Sequence, residues 1–151
     1  MDQTYSNIYL HFVWAVKFRE PVISMEMAKE LLKYINVMTS KRGCKLIAGY
    51  CMPDHIHLLI SYRPSIPIPE LVKEIKYQTN LMVNSKKRNL KPFYWQNGYG
   101  VFSVSENDKD KIAAYIKNQE KHHKAKNYPT EFLELLRENN LSEYHDSKLD
   151  E

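Results

Sequence analysis

Met52-Pro53-Asp54-His55-Ile56-His57-Leu58-Leu59-Ile60 is the stretch on which the reading of this chain turns. Pro53-Asp54 is tight-turn chemistry. The residues on either side, 44–52 and 55–62, read as two strands of a hairpin. A strand sends alternate side chains to opposite faces. His55 and His57 therefore share one face, while Ile56, Leu58 and Ile60 share the other, toward whatever core the sheet covers. Two imidazoles side by side on an uncovered face make half a metal site; a bare His-x-His is equally two surface histidines on an amphipathic strand.

Outward from the hairpin, residues 5–16 alternate, with Ile8, Leu10, Phe12, Trp14 and Val16 on one side, which predicts a strand. Ser24 is placed to cap a helix whose apolar positions Ala28, Leu31, Leu32, Ile35 and Met38 follow the helical period, and Gly43 stops it. After a proline-rich loop (Pro64, Pro67, Pro69), Ile68, Leu71, Val72, Ile75, Thr79, Met82 and Val83 form the stripe of a second helix. Phe93-Tyr94-Trp95 then precedes a short strand over 100–104. Ser105, with Asp108 at the capping-box position, opens a third helix anchored by Ile112 and Ile116. Pro129 opens a last short helix through Phe132, Leu135 and Leu136, followed by an acidic, frayed end.

The order β-α-β-β-α-β with extra helices predicts an α+β fold: a ferredoxin-like split βαβ with an antiparallel sheet, its helices on one face, and additional C-terminal helices. On that plan the two main helices leave the other sheet face open, and His55 and His57 fall on the open face. Residues 1–128 are read as one domain including the third helix, and 129–151 as a C-terminal helix and acidic tail.

Composition narrows the function classes. At 151 residues, 43% hydrophobic and 26% charged, the chain suits one domain with its own core. No stretch approaches the ~18 apolar residues of a membrane span, and the N-terminus has no basic-then-apolar signal pattern. The only cysteines, Cys44 and Cys51, lie seven apart on one predicted strand and so are expected on opposite sides, forming neither a disulfide framework nor a zinc knuckle. A reducing cytoplasm is the expected location. From Glu131 onward seven acids face two bases, a net of −5; the whole chain is +4, so residues 1–130 carry +9. A body this basic, with eleven tyrosines and two tryptophans, suits a nucleic-acid partner as well as it suits an ordinary solvated surface.

On the third helix Tyr115 and Gln119 are four apart, about 40° around the axis. A phenol beside an amide oxygen offers a nucleophile next to a metal ligand; the alternative is Tyr115 packed beside Ile112 and Ile116 with Gln119 solvated. His122 and His123 extend the same surface as rival ligands. They point about 100° apart, so only one can join a given metal.

Together, His55-Ile56-His57, the run Trp95-Gln96-Asn97-Gly98-Tyr99-Gly100-Val101-Phe102-Ser103-Val104-Ser105, and Tyr115-Ile116-Lys117-Asn118-Gln119-Glu120-Lys121-His122-His123 resemble the single-tyrosine HUH transposases of the IS200-like type, which move insertion sequences as single-stranded DNA. The resemblance runs from about Ile8 to Glu138. It implies His55 and His57 as metal ligands, Gln119 as the third, and Tyr115 as the nucleophile. It also implies a divalent ion, Mg²⁺ or Mn²⁺, and a 5′-phosphotyrosine intermediate that conserves the phosphodiester for rejoining. The implied partners are single-stranded DNA with hairpin ends and a second copy of the chain, in a homodimer whose tyrosine helix completes the partner's histidine pair. The polar link 103–108 is the expected device for that exchange. Lys86, Lys87, Arg88 and Lys91, with Lys117, Lys121 and Lys124, are the expected phosphate-binding residues; Phe93, Tyr94 and Trp95 either stack on bases or fill the core. The alternatives are a domesticated relative resembling the REP-associated tyrosine transposases, a non-catalytic ferredoxin-like nucleic-acid-binding module, and a phosphodiesterase that uses water and dispenses with Tyr115.

Overall fold

The computed structural model describes residues 3–86 and 91–141, apart from the side chains of His122 and Ala125. Four strands, β1 (Tyr9–Ala15), β2 (Lys45–Cys51), β3 (His55–Ser61) and β4 (Gly100–Val104), form one antiparallel sheet in the order β2-β3-β1-β4. α1 (Met25–Lys41) and α2 (Ile68–Lys86) cross between them. This is the split βαβ order that the sequence predicts.

Local chemistry sets the ends of α1. Ser24 Oγ accepts the Met27 N–H at 3.1 Å, and the chain turns out of the helix at Gly43, whose φ of +75° suits a residue without Cβ. The stripes of α1 and α2 bury Leu31, Ile35, Leu71, Val72 and Ile75 against Leu10, Phe12, Trp14, Ile56, Leu58 and Ile60. Full burial of such a side chain is worth about 1.5–3 kcal/mol, so this face carries most of the fold's stability. Phe93 and Trp95 close that core. Asn84 brackets Phe93, accepting its N–H at 2.6 Å and donating to its carbonyl at 3.0 Å, and Trp95 Nε1 donates to Thr79 Oγ1 at 2.9 Å. Neither ring is available to a base; Tyr94, between them, is 52% exposed.

The fold departs from expectation in three places. Cys44 and Cys51 lie in the same core cluster, because the β2–β3 register slips between Leu46 and Ala48. The bulge adds one residue and so restores Cys51 to the side of Cys44. The third helix is broken in two: α3 (Lys109–Lys117) and α4 (Gln119–Ala125) meet at Asn118, whose N–H turns back to the carbonyls of Ala114 and Tyr115. Ser105 Oγ accepts the Asp108 N–H at 3.2 Å, opening the turn that precedes α3 rather than α3 itself.

The third departure matters most. The face carrying His55 and His57 is covered rather than open, and both histidines are fully buried. α5 (Tyr128–Glu138), capped by Asn127 through the Thr130 N–H, lays Tyr128, Phe132, Leu135 and Leu136 on Val13, Ala15 and Phe102. Ile116 of α3 sits on Ala48 and Leu59. The physical reason is in the strands: Val13, Ala15, Leu59 and Phe102 share the histidine face, and an apolar surface of that extent demands a cover. Gly100 makes the seat, since a Cβ there would lie 2.9 Å from the Phe132 ring.

Candidate active site

β3 presents His55 and His57, and each ring is held from behind. His55 Nδ1 is 2.7 Å from Asp54 Oδ1, and His57 Nδ1 is 2.8 Å from His11 Nε2. Those partners turn both Nε2 atoms to one point. There α5 places Glu131, whose Oε1 lies 2.9 Å from His57 Nε2, 3.5 Å from His55 Nε2 and 3.1 Å from His123 Nε2. Gln119 Oε1 lies 3.4 Å from His55 Nε2 and 3.0 Å from His123 Nε2. The Tyr115 hydroxyl donates to the other carboxylate oxygen, Glu131 Oε2, with its ring edge-on to His57 at 6.0 Å. Tyr128 covers His55, ring centroids 4.7 Å apart.

Tyr115, His55, His57 and Gln119 thus come together within one chain, α3 and α4 reaching the sheet of their own subunit. Of the two adjacent histidines on α4, His123 joins them; the His122 side chain lies outside the described residues. Three further participants are not evident from the motifs. His11 is legible from strand alternation, because it faces away from Leu10 and Phe12. Asp54 reads in sequence only as a turn residue. Glu131 reads as part of the acidic tail, yet its carboxylate is fully buried. Its signal is position: it lies three residues after Tyr128 and four before Leu135, on the apolar stripe of α5, where a charge is out of place.

Residues 4–119 match the family described as IS200-like transposases. The chain belongs to that family. The matched segment contains His55, His57, Tyr115 and Gln119, while His123 and Glu131 lie beyond it. The chain is 32% identical to the ISDra2 transposase TnpA of Deinococcus radiodurans over 114 residues, covering 72% of this chain and 81% of the relative. A crystal structure of a Deinococcus radiodurans R1 protein assigned as a transposase superposes with a TM-score of 0.61 at 30% identity, over 79% of this chain and 96% of that one. A REP-associated tyrosine transposase bound to a REP hairpin shares the fold at 16% identity, TM-score 0.60, over 82% of this chain and 73% of that one. As an IS200-like transposase, the chain is a DNA-cleaving and strand-transferring enzyme.

The donor set of this transposase fits a divalent cation. One ligand atom each from His55, His57 and Glu131 lies within 4.8 Å of the others; two imidazoles with one carboxylate are a familiar first-row donor set. The Nδ1 partners fix ring orientation, as outer-shell groups do in metal sites. Gln119 Oε1 is a second, neutral oxygen donor beside His55.

Burial and hydrogen bonding divide the charges. Burial alone pushes the Glu131 carboxyl up, but hydrogen bonds from His123, His55 and His57 outweigh it and hold the group well below the usual carboxylate range. Burial, then the hydrogen bond to Glu131, raises the Tyr115 phenol above its ordinary value of 10. Desolvation lowers His57 to about 4 and His11 to about 3. For His55 burial is overcome by Asp54 and Glu131, and its pKa is raised from 6.5.

These shifts make stability depend on pH. His57 and His11 are neutral when folded but titrate near 6.5 when unfolded. A group with a depressed folded pKa stabilises fully above its unfolded value and loses that contribution as pH falls toward the folded one. His55, raised, has the opposite sign: its stabilisation is present below 6.5 and fades above. Below 6.5 only His57 and His11 set the slope, so the melting temperature of the metal-free protein is expected to fall steadily between pH 6.5 and about 4. Thermal melts across that range check it; a melting temperature that rises on acidification contradicts it.

Lys86 and Lys91 are engaged with Glu30 and Glu20. Lys87 and Arg88 lie outside the described residues. Lys117, Lys121 and Lys124 are exposed along α3 and α4. Among the described residues no helix is long and apolar enough to cross a membrane.

Proposed function

We propose that this transposase cleaves and rejoins single-stranded DNA through a 5′-phosphotyrosine on Tyr115, with a divalent ion, Mg²⁺ or Mn²⁺, held by His55, His57 and an oxygen donor from Glu131 or Gln119. One observation carries the reading: the Tyr115 hydroxyl is hydrogen-bonded to the same carboxylate that lies 2.9 Å from His57 Nε2. Nucleophile and ligand cluster are therefore one site.

A bound cation supplies charge neutralisation at a non-bridging phosphate oxygen and aligns the scissile bond. The residues do the rest. Attack by a phenol requires loss of its proton, and Glu131 Oε2 already accepts the Tyr115 hydroxyl hydrogen. As the Tyr115 oxygen bonds to phosphorus, the bond to the 3′ oxygen breaks, and the proton passes by way of Glu131 to that leaving oxygen. The products are a 5′-phosphotyrosine and a free 3′-OH; a second 3′-OH reverses the step and joins strands without ATP. Burial of the His55–His57 point keeps water from competing.

The partner is taken to be single-stranded DNA with hairpin ends, as the hairpin-bound fold relative suggests. A homodimer is also proposed, with the 105–108 turn allowing α3 to dock on either subunit. Lys117, Lys121 and Lys124 are the proposed phosphate-binding residues, since their charges are exposed on the site's side of the sheet. Replacing all three by Gln is expected to weaken binding of a single-stranded oligonucleotide and to reduce the slope of log affinity against log salt by about 0.7 for each phosphate no longer neutralised. Anisotropy titrations at several salt concentrations read this; an unchanged slope removes them from the interface.

The reaction itself is tested by product mapping. Single strands spanning the DNA on either side of the gene are incubated with protein and Mn²⁺ or Mg²⁺. The reading expects one fragment with an extendable 3′-OH and the other retained on protein. Two free fragments, one with a bare 5′-phosphate, indicate hydrolysis by water; binding without cleavage indicates a non-catalytic module.

A further inference from the structure

A groove runs between α2 and the 94–99 loop, a cavity of about 380 Å³. Among the described residues its lining contains Lys73 and Lys76 and no carboxylate. Lys76 Nζ donates to the carbonyls of Gln96, at 2.9 Å, and Gly98, and lies 5.5 Å from the Trp14 ring centroid and 5.8 Å from that of Tyr99. Among the described residues it has no acidic partner, and burial lowers its pKa to about 8. A partly buried cation held only by carbonyls and ring faces is a ready counter-charge for an anion. Asn80 Oδ1, also in the lining, is buried with no hydrogen-bond partner among the described residues.

The groove's aromatic rim is unusually open. Tyr77 is 61% and Tyr94 52% exposed. Beside Tyr94 stands Phe18, 63% exposed, on a turn where Phe18 and Arg19 adopt φ of +60° and +55°. Such angles are costly for bulky side chains and persist only where the surroundings enforce them. Here the Lys17 N–H is bonded to the Tyr94 carbonyl at 2.9 Å, and Lys17 Nζ lies 5.5 Å from the Phe18 ring and 5.9 Å from the Tyr94 ring. Exposed rings alternating with cations, in a groove with no acid among its described lining residues, match a strand of unpaired nucleotides better than an apolar partner. Gln96 ties the groove's wall to the residue that covers the site. Gln96 accepts the Ala15 N–H through Oε1 at 2.5 Å, 3.4 Å from the Tyr128 hydroxyl, and Tyr128 covers His55.

We infer that this groove is a track for unpaired nucleotides flanking the cleaved phosphate, with Tyr77 and Tyr94 stacking on bases and Lys73 and Lys76 meeting phosphates. The inference rests on the reading of the chain as acting on single-stranded DNA. Its test uses fluorescein-labelled oligothymidylate, which forms no hairpin, in anisotropy titrations of the full chain. Tyr94→Ala and Tyr77→Ala, at exposed positions, are expected to fold normally and to bind about 5- to 150-fold more weakly, the loss for one stacked base. Tyr94→Phe retains affinity, and an abasic oligonucleotide no longer distinguishes the variants from the parent. Equal affinity for all variants, or no binding by the parent, overturns the track. Adduct formation on hairpin-bearing strands is measured alongside. Adducts with unchanged oligothymidylate affinity remove the groove and leave the chemistry standing; affinity losses without any adduct do the reverse.

Discussion

A Tyr115→Phe enzyme is expected to fold, bind metal and hold DNA, yet form no covalent intermediate. The substitution removes one oxygen and keeps the ring that lies edge-on to His57. Ile116, which anchors α3 on Ala48 and Leu59, is untouched. The stability change should be about 1.5–3 kcal/mol, the worth of a hydrogen bond to a buried charged group. The chemical loss should be at least about 10⁴-fold, because phenylalanine carries no oxygen to attack phosphorus. Quantified denaturing gels set against a thermal melt separate the two effects. Cleavage that survives in the variant would transfer the chemistry to water.

Glu131→Gln carries the second large effect and bears on what sets this site apart from the resemblance. That resemblance implies Gln119 as third ligand, an all-neutral set; the structure adds a carboxylate beside three imidazoles and the Tyr115 hydroxyl. The amide preserves shape and removes the charge. Cleavage is expected to fall about 10²–10⁴-fold, the range for losing a positioned proton acceptor. Mn²⁺ affinity, read by calorimetry without DNA, should fall at least about tenfold, since a neutral amide is a weaker ligand than a carboxylate. Glu131→Ala should in addition lower stability by about 3–5 kcal/mol, as removal of one member of a buried charged cluster does. Unchanged Mn²⁺ affinity in Glu131→Gln would return the third position to Gln119.

Much of this architecture is legible in residue order because it depends on short periods. The alternation around Phe12 and Trp14, the His55–His57 pair and the stripes of α1 and α2 are local patterns, and the fold realises them. What escapes is non-local or breaks the period. A bulge between Leu46 and Ala48 reverses strand parity with no glycine or proline to announce it. Asn118 interrupts a helix that composition alone would continue. The buried fate of His55 and His57 depends on α5, whose Glu131 lies 74 residues from His57 in sequence. A carboxylate in an acidic C-terminal segment reads as solvated until the helix that carries it is seen against Val13, Ala15 and Phe102.

Whether Tyr115 becomes bonded to DNA decides the mechanism, and peptide mass spectrometry reads that bond without intermediaries. Protein trapped on single-stranded substrate in Mn²⁺ is digested with nuclease and trypsin. Cleavage after Lys111 and Lys117 releases the six-residue peptide Ile112-Ala113-Ala114-Tyr115-Ile116-Lys117. A tyrosine nucleophile requires that this peptide carry a nucleotide on its tyrosine, and only when metal was present. The same peptide recovered unmodified beside a strand already cut to a bare 5′-phosphate, or a nucleotide found on another tyrosine, contradicts it.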